Sequence, residues 1–251
     1  MKRICVCNQK GGVGKTTTAV NLSAYLASMG RNTLLIDIDP QSAATSGIGI
    51  DKSKIEKTIY DVLLGECSIR DVIVKTQVEN LDIIPSNMDL AGAEVELSNE
   101  VGREFILRDA IADLDGYDYL IVDSPPNLGV LTLNAMIACE NLLVPVQAEY
   151  YALEGLAQLL RTAELITRRL RIPLKIRFLI TMYDKRTRIC DDVANQLRDY
   201  FGDKVFKTII PRNVRLAEAP SYGKPILLYD PDCKGAVAYK RLAEEVDSVE
   251  W

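Results

Sequence analysis

The chain has 251 residues, 48% of them hydrophobic and 26% charged, with a formal net charge of −5 and no histidine. That length suits one α/β domain spanning residues 1–251 with a sizeable core, and an acidic protein of this kind needs a local basic patch for any contact with nucleic acid. The lack of histidine excludes Ser-His-Asp and Cys-His nucleophile systems and most zinc sites, so the chemistry falls to carboxylates, lysines, hydroxyls, backbone amides or a bound metal.

The first apolar run, residues 3–8, reads as a strand, and Met1-Lys2-Arg3-Ile4 lacks the long apolar region of a signal peptide. No run of 18 apolar residues suggests a transmembrane helix, so a cytoplasmic location is expected. Cys5 and Cys7 fall on one face of this strand. With Cys67, Cys139, Cys190 and Cys233 they form no C-x-x-C, and they read as small hydrophobes in a reduced compartment.

The run Asn8-Gln9-Lys10-Gly11-Gly12-Val13-Gly14-Lys15-Thr16-Thr17 follows that strand and opens a helix over residues 16–29. Strand, glycine-rich loop and helix make a P-loop, in which successive N–H groups and the helix N-terminus cradle phosphates. Residues 10–17 (Lys10, Gly11, Gly12, Val13, Gly14, Lys15, Thr16, Thr17) are therefore the nucleotide-binding candidates. Lys15 is placed to reach the β- and γ-phosphates, and the Thr16 hydroxyl to ligate Mg²⁺. The usual spacing would put a glycine at position 9, but the chain has Gln9 there and an extra lysine, Lys10.

The next strand, residues 33–37, leads into Asp37-Ile38-Asp39-Pro40-Gln41. Acids at the C-terminal end of a parallel strand lie near the ligand crevice. Without histidine, Asp39 is the candidate to position an attacking water, and it joins Thr16 and Asp123 as a metal-shell candidate. Residues 40–100 are the least regular stretch, with a strand at 81–85, and a helix is expected over 102–114. Tyr119-Leu120-Ile121-Val122-Asp123 is a Walker-B-like strand that places Asp123 at its end, suited to the Mg²⁺ shell.

Further strands are expected at 141–146, 176–181 and 205–209, and helices at 130–138, 153–170, 190–201 and 234–246. Continuous apolar runs alternating with helices predict a mainly parallel twisted sheet covered by helices on both faces. Residues 161–188 carry nine basic side chains against Glu164 and Asp184, a local charge of +7. Such segregation suits phosphate-backbone binding without base reading.

Together these motifs resemble the ParA/Soj family of chromosome- and plasmid-partitioning ATPases. The likeness extends to Pro145-Val146-Gln147-Ala148-Glu149-Tyr150-Tyr151-Ala152-Leu153-Glu154-Gly155 and to Ile210-Pro211-Arg212-Asn213-Val214-Arg215-Leu216-Ala217-Glu218-Ala219-Pro220-Ser221. The K-G-G-x-G-K-[ST] form is similar to the deviant Walker A motif of P-loop NTPases. The resemblance implies that Lys10 reaches the nucleotide of a second subunit, making Lys10, Lys15 and Asp39 the catalytic set. It further implies an ATP/ADP and Mg²⁺ cycle, with Pro211 and Asn213 near the adenine. The implied partners are a second copy in an ATP-dependent sandwich homodimer, non-specific double-stranded DNA contacted through Arg186, Arg188 and Arg215, and a ParB-type protein that stimulates hydrolysis. Nucleoid association in the ATP-bound form would follow. The family often has Gly-Asn after Asp-Pro-Gln, where this chain has Ser42-Ala43; little effect is expected. The alternative is a MinD-like membrane-associated positioning ATPase. The acidic tail, Glu244-Glu245-Val246-Asp247-Ser248-Val249-Glu250-Trp251, argues against it, because such a module needs a basic amphipathic helix.

Overall fold

The computed structural model describes residues 1–149 and 152–251. Its strands are β1 (Lys2–Val6), β2 (Thr33–Asp37), β3 (Val74–Lys75), β4 (Leu81–Ile84), β5 (Tyr119–Asp123), β6 (Asn141–Gln147), β7 (Lys175–Tyr183) and β8 (Val205–Pro211). They form an eight-stranded sheet in the order β3-β4-β2-β5-β1-β6-β7-β8. Every pairing is parallel except that of β3 with β4. β1 lies centrally between β5 and β6, and the chain leaves β1 towards β2 on one side and β6 towards β7 on the other. The crevice at such a reversal, above the C-terminal strand ends, is where open α/β sheets bind ligands.

The helices are α1 (Lys15–Ser28), α2 (Ala43–Gly47), α3 (Ile59–Leu63), α4 (Leu90–Glu96), α5 (Ile106–Ala110), α6 (Val130–Cys139), α7 (Ala152–Leu170), α8 (Arg188–Phe201), α9 (Val214–Glu218), α10 (Ile226–Tyr229) and α11 (Lys234–Ser248). Strand side chains alternate between two cores, as the two-residue period requires. Ile4, Val6, Leu35, Ile121 and Leu143 pack with Leu22 and Leu26 of α1 and Tyr239, Leu242 and Val246 of α11. Leu34, Ile36, Leu120, Val122, Leu142 and Val144 pack with residues of α6, α7 and α8 on the opposite face. The sheet is thus covered on both sides, the reason its strands read as nearly continuous apolar runs. Cys5, Cys7 and Cys139 lie in the second core, and burial pushes the Cys5 and Cys139 thiols up, as expected of structural cysteines. Cys67 and Cys233 are only half-buried, short of the sequence expectation.

Three departures from the sequence reading have physical causes. The helix expected over 102–114 is broken into a 3₁₀ turn, Arg103–Phe105, and the five-residue α5. The Asn134 side chain accepts from Leu107 N (2.9 Å) and donates to the Arg103 carbonyl (2.7 Å), satisfying backbone groups that a continuous helix would have paired internally. β3 has only two residues, too few for an alternation to register. The basic run 161–188 is not one patch. β7 spans nine residues, roughly 26 Å end to end at ~3.3 Å per residue. Lys175 and Arg177 therefore sit at the rim opposite Lys185, Arg186 and Arg188. There they bind the C-terminal segment, Lys175 Nζ donating to the Trp251 carbonyl (2.8 Å) and Arg177 to the Glu250 carbonyl (2.9 Å).

The edge strand β8 is protected by Glu245 of α11, whose carboxylate accepts from Lys207 N (2.7 Å) and Thr208 N (2.9 Å). At the start of α11, buried Gly235 faces Leu216 of α9, and a Cβ there would lie 2.6 Å from Leu216 Cγ. Gly235→Ala is expected to cost about 1–3 kcal/mol through overpacking, read as a fall of roughly 2–4 °C in thermal midpoint per kcal/mol. Adding Leu216→Ala should recover part of the loss relative to Leu216→Ala alone. An unchanged midpoint in Gly235→Ala would refute the contact.

Candidate nucleotide-binding site

The loop between β1 and α1 has the backbone its glycines permit. Gly12 (φ 73°) and Gly14 (φ 90°) occupy the left-handed region, which side chains with a Cβ rarely enter. The loop is held from the β6–β7 side of the sheet. Asn8 donates from Nδ2 to the Pro145 carbonyl at 2.7 Å, and Thr181 Oγ1 donates to the Val13 carbonyl at 2.8 Å. Thr181, on β7, has no local sequence signal; only the alignment of β6 and β7 brings it to the loop.

Lys15 is buried, and its Nζ donates to the Lys10 carbonyl at 3.2 Å. Burial lowers its pKa, while Asp123 and Asp39 pull the other way, which places both carboxylates beside it. Asp37 and Asp123 are register neighbours on adjacent strands. Their roles differ. Asp37 is fully buried and accepts from Thr45 N (2.8 Å), Thr45 Oγ1 (2.7 Å) and Asp39 N (3.1 Å). It anchors the turn after β2, and burial pushes its pKa up to about 6 despite those donors. Asp39 Oδ1 accepts from Gln41 N at 2.9 Å.

Asp123 is fully buried, and among the described residues neither carboxylate oxygen has a hydrogen-bond partner of ordinary geometry. Burial, reinforced by Asp37 and Asp39, drives its pKa well up, against the opposing pull of the nearby Thr16 hydroxyl and of Lys15. An unpaired buried carboxylate is costly unless a cation or donor meets it. With the Thr16 hydroxyl alongside, the arrangement fits the shell of a hard divalent cation whose other ligands are phosphate and water. Among the described residues no group of three or more His, Cys, Asp or Glu could hold a metal by protein ligands alone.

Beside Gly14 and Thr17 opens a cavity of about 340 Å³ lined by Met182, Pro211, Arg212, Asn213, Leu216 and Tyr239, among others. Pro211 and Asn213 thus stand next to the phosphate loop. Asn213 caps α9, its Oδ1 accepting from Arg215 N at 2.8 Å, which leaves its amide NH₂ for a ligand acceptor. Met182 (φ 51°) and Arg212 also line this cavity; sequence reasoning quoted Arg212 only as part of its segment and did not name Met182.

Of the three arginines singled out for a phosphate backbone, Arg186 and Arg215 are internally paired. Arg186 makes a fork to Asp184, with NH2–Oδ2 at 2.6 Å, and the guanidinium holds the Asp184 carboxyl well below the usual range. Arg215 pairs with Glu218 (3.0 Å) and Asp230 (3.2 Å). Arg188 is 95% exposed and only 4.0 Å from Asp192 at its closest. All three follow C-terminal strand ends on the P-loop rim, Arg212 N donating to the Tyr183 carbonyl (2.9 Å) between the two loops. The departure at Ser42 also becomes explicable. Ser42 adopts φ 49°, ψ 41°, a conformation that favours glycine, and its hydroxyl accepts from Lys52 Nζ at 2.5 Å.

Comparison with known proteins agrees with this geometry. A family model described as "AAA domain" matches residues 1–176. The chain is 54% identical to the sporulation initiation inhibitor protein Soj of Bacillus subtilis (strain 168), covering 98% of each chain. It is 52% identical to the chromosome partitioning protein ParA of Myxococcus xanthus (strain DK1622), over 97% of this chain and 87% of that one. Among solved structures, cobyrinic acid a,c-diamide synthase from Mycobacterium smegmatis with bound ADP and magnesium superposes with a TM-score of 0.85 at 38% identity, covering 98% of this chain and 94% of that one.

Asp123→Asn should remove Mg²⁺-dependent hydrolysis and, in the absence of nucleotide and metal, stabilise the protein. The sign follows from the raised pKa: the folded form holds its proton where the unfolded carboxyl has lost it, so stability declines as pH rises above the unfolded value of 3.8 towards the folded one. The variant lacks that decline, so its advantage should grow with pH and reach about 1–3 kcal/mol, the cost of an unsatisfied buried group. Thermal melts from pH 5 to 8 test this; parallel curves for wild type and variant would contradict it.

Proposed function

The chain belongs to the ParA/Soj family of partitioning ATPases, and from that premise we propose that it is an ATP-dependent dimerising switch that segregates chromosome or plasmid DNA. The observation that carries the reading is the unpaired Asp123 carboxylate, set beside Lys15 and Thr16 below a P-loop with a base-sized cavity next to it. The fold does not choose the cargo, since a structure named as a diamide synthase shares it. The higher identity to Soj and ParA over nearly the whole chain favours partitioning.

The protein is an ATPase acting on Mg²⁺–ATP, with residues 1–251 as one P-loop ATPase domain. The loop amides from Lys10 to Thr17 and the α1 N-terminus cradle the phosphates. Lys15 turns its ammonium to the β- and γ-phosphates, and Pro211 and Asn213 border the adenine. Thr16, with Asp123 and Asp39 beside it, would hold Mg²⁺, which when bound would supply charge neutralisation on the phosphates. Asp39, with one oxygen fixed by Gln41 N, orients a water in line with the γ-phosphorus through the other. The water oxygen bonds to phosphorus as the β–γ bridging bond breaks, giving ADP and phosphate. Lys10 from a second copy adds positive charge as phosphoryl charge develops, in the manner of an arginine finger.

Two protomers enclosing two nucleotides double the exposed basic groups on the P-loop rim, so affinity for double-stranded DNA becomes dependent on ATP. Arg188 is the exposed member of the proposed contact set, and Arg186 and Arg215 join it by exchanging their carboxylate partners for phosphate. A ParB-type protein stimulates hydrolysis and release. The protein acts in the cytoplasm and joins the nucleoid when ATP-bound. Among the described residues no helix is long and apolar enough to cross a membrane.

Size-exclusion chromatography with ATP or ADP, with and without DNA, tests the switch. Asp39→Ala is expected to hold an ATP dimer and retain DNA, and Lys10→Ala to weaken the dimer. Lys15→Ala should lose ATP-dependent DNA retention. Equal, salt-sensitive DNA binding with ATP, with ADP and in Lys15→Ala would sink the proposal.

A further inference from the structure

The Lys10 ammonium has a partner in its own chain. Its Nζ lies 3.3 Å from Glu149 Oε2, just beyond the C-terminal end of β6, and the other oxygen of Glu149 accepts from the Gln147 side-chain amide. The backbone at Lys10 is fixed on both sides of the residue. Its N–H donates to Asn8 Oδ1 (3.0 Å), Asn8 is tied to Pro145, and its carbonyl accepts from Lys15 Nζ (3.2 Å). Beside it the loop is open, since a Cβ at Gly11 or Gly12 would meet nothing within 4 Å. The side chain of Lys10 is therefore the part that can swing, and Glu149 sets where it rests.

We propose that Glu149 is a positioning residue for the ATPase: it holds the Lys10 ammonium in cis at the mouth of the P-loop and yields it to the nucleotide phosphates of a second copy of this chain. This rests on the reading of Lys10 as a trans-acting lysine. One ammonium cannot serve both anions, so the two contacts compete. The in-cis pair is of the weak kind, with side chains 38% and 47% exposed, whereas phosphate oxygens in a closed interface offer shorter, charge-assisted bonds in a drier setting. The exchange therefore runs towards the partner once nucleotide is in place, and not before. Lys15 adds a second restraint that nucleotide itself removes, because phosphate competes with the Lys10 carbonyl for the Lys15 ammonium.

Glu149 is also well placed to report the exchange. Its neighbour Ala148 donates from N to the Thr181 carbonyl (3.1 Å) and accepts at its carbonyl from Cys190 Sγ (3.3 Å). Cys190 in turn accepts from Asp184 N (3.5 Å) and from Thr187 Oγ1 (3.0 Å). The Lys10–Glu149 pair thus adjoins the loop that carries Arg186 and the start of α8 with Arg188.

The test is a double-variant cycle on the full chain: dimer dissociation constants from sedimentation velocity with Mg²⁺ and a non-hydrolysable ATP analogue, for wild type, Glu149→Gln, Lys10→Gln and the pair together. Glu149→Gln is expected to tighten the dimer by about two- to fivefold, the range for a half-exposed ion pair. The pair together should match Lys10→Gln alone, because with no ammonium there is nothing to hold. Unchanged ADP affinity, with a thermal midpoint lowered by no more than about 4 °C in Glu149→Gln, serves as the folding control. A dimer no tighter in Glu149→Gln, where Lys10→Gln does weaken it, overturns the proposal. Equal tightening in the presence and absence of Lys10 also overturns it, assigning Glu149 to simple repulsion of the partner. A dimer indifferent to Lys10→Gln removes the trans-lysine reading itself.

Discussion

The structure is organised around charge held out of water at the ends of β1, β2 and β5. Lys15, Asp37, Asp39 and Asp123 are all buried there, and burial moves Lys15, Asp37 and Asp123 away from their ordinary protonation behaviour. Burial penalises every ionised group among them, so each needs a compensating partner. Asp37 finds three donors and becomes an anchor for the turn after β2. Asp39 finds one and keeps an oxygen for a ligand. Asp123 finds none of ordinary geometry, and the molecule keeps there a site whose cost a Mg²⁺–nucleotide can offset. Function and instability therefore share a residue.

Holding that cluster requires both halves of the sheet. The P-loop leaves the central strand, but its geometry is set by groups that arrive much later in the chain. Asn8 reaches Pro145 on β6, Val13 is met by Thr181 on β7, and the adjoining cavity is closed by the segment after β8 and by Tyr239 of α11. The topological reversal at β1 is what places these elements around one crevice. The cavity and the phosphate loop therefore adjoin, sharing Gly14 and Thr17. Ser42 adds a restraint on the turn after β2. A left-handed conformation that glycine would adopt without strain is here taken by serine and fastened to Lys52.

Surface electrostatics follow the same economy of partners. Arg186 and Arg215 are tied to carboxylates and Lys10 to Glu149. The Lys10 and Arg215 pairs are exposed and individually weak, whereas the Arg186 fork to Asp184 is of the stronger, bidentate kind. Lys175 and Arg177 are different: they bind the C-terminal segment at the far rim.

Much of this was legible in the residues themselves. The alternating apolar runs specified a parallel sheet between two helical layers, and β2 and β5 had the bounds expected. The P-loop motif and the strand-end acids named Lys15, Thr16, Asp39 and Asp123 as one chemical group. The fold reading succeeds because it depends on local periodicity; the site residues were named from short-range backbone chemistry. Only the tertiary structure could divide the labour among the acids, since that depends on which donors fold back onto each: Thr45 onto Asp37, none of ordinary geometry onto Asp123. Only it could break the 102–114 helix through Asn134, add Thr181, Met182 and Arg212 to the site, and split a continuous basic run between opposite rims. In each case the deciding contact joins residues far apart in the chain, and burial, register and strand length fix those contacts where local pattern has no reach.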